Sequence, residues 1–179
     1  KNSSELITSL AQPPPSLLGS ILISFVIVGL FPHVPLIPTV DYVEELVREA
    51  AVPTILIKEY RNLLQCCLSP NVCQFNSLAY RLPADISIPI GSPLGSLISE
   101  VFMEKFELQL FQSNHPLLRH IGLWHILCVW HGPSELIGQF LSLLNSLYPS
   151  IDYTVEIGGR KINFLDLTIS ITDGDELHL

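Results

Sequence analysis

The chain reads as an α+β domain in which an antiparallel sheet is backed by helices. Three observations predict this. Apolar runs rich in β-branched residues occur at 22–28, 121–130, 153–157 and 162–171. Amphipathic stretches at helical spacing fall between them, at 40–51, 53–67, 94–111 and 134–147. The order is strand, helix, helix, hairpin, helix, strand run, helix, hairpin, which is not the strict strand–helix alternation that builds a parallel sheet. At 179 residues the chain is long enough for one domain with a real core.

The elements follow in order. Residues 1–16 are polar and proline-rich and read as a linker or a truncated edge, with the domain proper at 17–179. Residues 17–31 are the most apolar window, but fifteen residues fall short of the ~20 that a spanning helix needs. Ile21, Ile23, Val26, Ile27 and Val28 make its centre a buried strand instead. Thr39 is a candidate N-cap, with Asp41, Glu44 and Glu45 in the first turns and Val40, Val43, Leu46 and Val47 as the apolar stripe. Pro53 opens a second helix whose expected buried face is Ile55, Leu56, Tyr60, Leu63, Leu64 and Cys67. Residues 72–82 alternate around Asn76-Ser77 and predict a hairpin. The helix over 94–111 carries Leu97, Val101, Phe102, Phe106, Leu108 and Leu110. A run bounded by Trp124 and Trp130 follows, then a helix over 134–147, then a strand, a Gly158-Gly159 turn and a strand over 162–171. The chain starts at Lys1 and stops soon after a strand-like run, so a fragment is expected.

Composition narrows the function. With 17 acidic against 9 basic residues the net charge is −8, which opposes unaided binding to a phosphate backbone. Cys66, Cys67, Cys73 and Cys128 show no CxxC spacing and read as reduced core thiols. His120, His125 and His131 share neither one strand face nor one helix face, so no metal site is expected there.

Several segments together resemble the reverse transcriptase domain of Penelope-like retroelements. Ile90-Gly-Ser-Pro-Leu94, with the helix through Val101-Phe-Met103, resembles that family's motif B, roughly M-G-S-P-L-S-P-x-x-A-E-I-F-M. Phe140-Leu-x-x-Leu-Asn145, Tyr153-Thr-Val-Glu156 and Ile162-Asn-Phe-Leu-Asp-Leu-Thr168 agree downstream. Upstream, Ser24-Phe-Val-Ile-Val-Gly-Leu-Phe-Pro-His-Val-Pro35 resembles motif A, S-F-D-V-V-x-L-F-x-x-V-P. The similarity spans about residues 20 to 172. It implies a polymerase palm-like fold with truncated fingers, RNA-directed DNA synthesis with Mg²⁺, an RNA or DNA template-primer as partner, and a nuclear or cytoplasmic location.

The departures from that pattern carry the functional expectation. Val26 stands where motif A has its aspartate. Motif C, W-x-R-Y-V-D-D-I-x-x-x-W in the family, keeps Trp124 and Trp130 but lacks the tyrosine and both aspartates. Such enzymes hold two metal ions on those carboxylates, so the chain is expected to be catalytically inactive with no cofactor of its own. Val26 is expected to be a buried sheet residue. Asp41, Glu44, Asp85 and Asp166 read as caps or solvated groups rather than replacement ligands. With its turn removed, the motif C run is expected to lie as one continuous strand, unable to fold back, leaving a damaged central hairpin with unpaired edges that invite protein contacts. Gly91, Ser92 and Pro93 are the candidate nucleotide or template loop, against a plain helix start with Ser92 as cap and Pro93 at N1. The alternatives to an inactive polymerase fragment are a retained binding or assembly module, or a product of a degenerate element or gene model with no function.

Overall fold

The computed structural model describes residues 17–68, 72–81, 88, 91–124, 127–164 and 166–178. In chain order, β1 (Ile21–Ile27) leads into α1 (Leu30–His33), α2 (Leu36–Glu49) and α3 (Thr54–Leu68). The strands β2 (Val72–Phe75) and β3 (Leu78–Arg81) precede α4 (Gly95–Gln112). A 3-10 turn at Pro116–His120 is followed by β4 (Ile121–Trp124), β5 (Leu127–Trp130) and α5 (Glu135–Leu147). Then come β6 (Tyr153–Gly159), β7 (Lys161–Phe164), β8 (Leu167–Ile171) and β9 (Leu177–His178). The α+β class holds, with small antiparallel sheets and, among the described residues, five α-helices. The expected linker at 1–16 lies outside the described residues.

Two compact units emerge. The first comprises the described parts of Lys1–Val28, Asn114–Leu147 and Asp152–Leu179. Its sheet runs β4-β5-β1-β6. β1 occupies the interior because it is largely apolar on both faces, and both faces are covered from Leu22 to Phe25. On one face Phe25 meets Phe140 of α5 edge-on at 5.4 Å, and Trp130 lies 5.8 Å from the same ring. On the other, Leu22, Leu127 and Val129 pack with Leu17, Ile162, Ile169 and Ile171, so the β7-β8-β9 sheet covers it. Asn145 near the end of α5 grips the start of β6. Its Oδ1 accepts from the Tyr153 N–H at 2.7 Å and its Nδ2 donates to the Tyr153 carbonyl at 3.2 Å.

Two strand expectations are corrected in this unit. The run 121–130 is not one continuous strand: β4 and β5 pair antiparallel, with Trp124 opposite Cys128. A register shift between Ile121 and Leu123 takes up the mismatch, as a bulge does. Residues 125–126, which link the strands, lie outside the described residues. The run 162–171 is likewise a hairpin, β7 against β8 with Phe164 opposite Leu167. β6 continues through Gly158 and Gly159, so the turn sits at Arg160. A Cβ on Gly158 would lie 2.5 Å from Ile162 Cβ and 2.6 Å from the Lys161 carbonyl oxygen.

The second unit is Gly29–Ser113 with Tyr148–Ile151. α2 starts earlier than expected, at Leu36, because Pro38 in the first turn sacrifices an N–H that has no helical partner anyway. Thr39 is therefore not the cap. It is fully buried inside the helix and donates to the Pro35 carbonyl at 2.7 Å. The face of α3 is also corrected. Ile57, Leu64 and Leu68 point inward, whereas Ile55 (71% exposed), Leu56, Tyr60 and Leu63 (62%) point out. Arg61 lies one turn from Ile57 on the same helix and bonds Asp41 and Glu44 of α2, which orients α3. α4 buries Gly95, Ile98, Ser99, Phe102, Phe106 and Leu110, leaving Leu97 and Leu108 exposed against expectation. Phe102 and Phe106 enclose the Tyr148 ring at 5.1 and 6.1 Å. The β2–β3 hairpin forms as predicted, with Asn76 and Ser77 both at positive φ.

No described helix is long and apolar enough to cross a membrane. The apolar window at 17–31 supplies β1 rather than a helix across its centre.

Candidate functional site

Position 26 and the Trp-bounded segment are in the same unit, two parts of one sheet. β5 pairs with β1 from Ile21↔Trp130 to Ser24↔Leu127, and β1 then runs on to Ile27 paired with β6. Val26 lies in that extension, opposite Thr154. It is 45% exposed, not buried. The layer that covers Leu22 on the same face does not reach it, so the valine gains little from burial.

Cross-strand register places Ser24, Val26, Thr154 and Glu156 on one face of β1 and β6. Thr154 and Glu156 are exposed, and Thr154 Oγ1 donates to the Val26 carbonyl at 3.3 Å. Glu156 is the one carboxylate that the β1 and β6 strands bring to this face. Motif matching alone passed over it as a ligand candidate, but the alternation of β6 would have located it. It sits opposite Ser24, diagonal to Val26. A valine and a lone glutamate do not make the paired carboxylates that a two-metal centre requires, so this face does not fit the family's magnesium site. Among the described residues, no group of three or more His, Cys, Asp or Glu could hold a metal ion.

Two of the other candidate acids have structural partners. Asp41 and Glu44 are ion-paired with Arg61 at 2.7 and 2.6 Å, and Glu44 also with Arg48 at 2.7 Å. These bonds hold the Arg61 guanidinium above its usual range, through Glu44 first and then Asp41. Asp166 is an exposed residue in the β7–β8 turn. Asp85 lies outside the described residues.

The loop residues Gly91, Ser92 and Pro93 belong to the other unit. Gly91 has φ +92°, open only to glycine without strain, and open space around its missing side chain. Ser92 is not the N-cap and Pro93 is not N1, because α4 begins two residues later, at Gly95. Ser92 instead closes a turn just outside the helix: its Oγ accepts from Leu94 N at 3.3 Å and its carbonyl accepts from Gly95 N at 2.9 Å. Gly95 packs closely, since a Cβ there would lie 3.2 Å from Ile88 and 3.4 Å from Phe31, so that those side chains would have to yield slightly. Ile90 lies outside the described residues.

The cysteines divide. Cys128 is fully buried in β5, and desolvation pushes its thiol far above the ordinary range, so it is inert. Cys66 and Cys67 are exposed, not core thiols, because the end of α3 turns that side outward. No protein-family model, curated protein or solved structure matches the chain.

Proposed function

We propose that this chain is part of a reverse transcriptase palm related to Penelope-like retroelements, and that it is catalytically inactive. The observation that supports it most is topological. The strand resembling motif A lies against the hairpin bounded by the motif C tryptophans, in the order β4-β5-β1-β6. A palm needs that adjacency to bring its carboxylates together, and here the adjacency stands beside Val26 and without the motif C acids. Loss of chemistry without loss of sheet follows, because position 26 is open to solvent and contributes little to the core.

Primer extension with Mg²⁺ or Mn²⁺ tests this. The unmodified chain is expected to extend nothing. A version carrying Val26→Asp and a Tyr-Val-Asp-Asp turn built between Trp124 and Trp130 is expected to regain extension. Extension by the unmodified chain overturns the inactivity, and a folded restored chain that neither binds template-primer nor extends it removes the family reading. Val26→Asp alone is expected to change stability by less than ~1 kcal/mol, as for an exposed strand position, measured by denaturant titration.

A second reading, a retained assembly module, is favoured by one feature. The apolar side chains Phe75, Leu78 and Tyr80 of the β2–β3 hairpin are all exposed.

A further inference from the structure

We propose that the outward side of α3 is a contact surface for a second copy of this chain. α3 is apolar on two sides. Ile57, Leu64 and Leu68 point inward, and the Arg61 ion pairs to Asp41 and Glu44 hold that side against α2. Leu56, Tyr60 and Leu63 form a second stripe on the same helix, 49, 42 and 62% exposed. Ile55, 71% exposed, widens it. A helix with one apolar stripe needs one covering layer; α3 has two stripes and only the inner one is covered.

The spacing of the open stripe suits a second helix. Leu56, Tyr60, Leu63 and the exposed Cys67 follow at intervals of four, three and four residues. That repeat lets the side chains of two helices interlock along a seam. A second copy brings the identical stripe, so a single two-fold axis covers both at once.

Charge permits the meeting along α3 and opposes it along the neighbouring helices. α2 holds Asp41, Glu44, Glu45 and Glu49 against Arg48, and α4 holds Glu100, Glu104 and Glu107 against Lys105. Two copies meeting along either helix would set like charges together. α3 carries only Glu59 against Lys58 and Arg61.

The area sets the strength. Ile55, Leu56, Tyr60 and Leu63 together offer on the order of 400 Å² of apolar surface, as much as the largest patch of an ordinary monomer. Doubled across the axis, with Glu59, Asn62 and Cys66 at the rim, it reaches the ~1,000 Å² lower bound of a specific interface. The dimer is therefore weak, dissociating in the micromolar range. α3 holds none of the residues on which the polymerase reading rests, so primer extension bears on neither outcome.

Sedimentation velocity on the whole chain from about 1 to about 100 μM tests the pairing. The parent chain is expected to pass from monomer to dimer within that range. Leu63→Glu sets a charge in the seam of both copies and is expected to weaken the dimer by more than about tenfold. Leu63 is exposed in the single chain, so melting at the lowest concentration is expected to change little. Leu97→Glu makes the same exchange on α4, at a leucine 52% exposed, and is expected to leave the dimer unchanged. A parent chain that is monomeric throughout overturns the pairing, and so does an open-ended series of larger species. A dimer that survives Leu63→Glu, or that Leu97→Glu weakens equally, overturns α3 as its site.

Discussion

The molecule contains two hairpins of the same size, built by opposite means. β2–β3 and β4–β5 each pair two four-residue strands. In β2–β3 every described side chain is exposed, with Phe75 at 66%, and the strands are joined by Asn76 and Ser77 at positive φ. That is the backbone shape a two-residue hairpin turn demands. In β4–β5 the whole of β5 is buried and β1 pairs along its other edge. Turn chemistry makes the first ladder, and burial between two covering layers makes the second. A bare two-stranded hairpin is marginal in water, whereas a doubly covered strand is fixed by its neighbours.

Substitutions should separate the two cases. Trp130→Ala removes a fully buried ring that touches Phe140 and His120, and a loss of roughly 3–5 kcal/mol is expected in denaturant unfolding. Cys128→Ser puts a hydroxyl into the same dry layer and should destabilise by about 1–3 kcal/mol. In the native chain a thiol reagent should modify Cys66 and Cys67 at once and reach Cys128 only on unfolding. Ser77→Gly relieves a positive φ of 61° and should slow exchange of the β2–β3 amides by a factor corresponding to about 0.4–1 kcal/mol, with global melting unmoved. Phe75→Ala should change global stability little, by under ~0.5 kcal/mol, as exposed positions do. A large effect at Phe75 would mean that its ring is held after all and that the contrast between the hairpins fails.

The same contrast explains what was legible in the sequence. β2–β3 could be read from Asn76-Ser77, because its cause is local. β4–β5 could not, since nothing local in 121–130 marks a turn and its strands are imposed by β1. Pairing by β1 and the covering cluster are tertiary facts. α3 misled for a related reason: its longest apolar stripe, through Leu56, Tyr60 and Leu63, faces outward, while the Arg61 ion pairs select the other side. Of the candidate site, the position of Val26 beside the Trp-bounded segment followed from motif order, but its exposure did not. Alternation predicts which side a strand residue takes, not where the layer above it ends. Glu156 needed the register, and the register needed the hairpin.

Gly158 sets a limit on how this sheet can drift through time. At position 26 the surface is open, and almost any small side chain can be exchanged there without the strands noticing. At position 158 the next carbon atom would already overlap β7, so a side chain there would have to push the strand aside. The carboxylates of this face carry no comparable steric restriction, so the tightest fit beside β7 is set by a residue with no chemistry of its own.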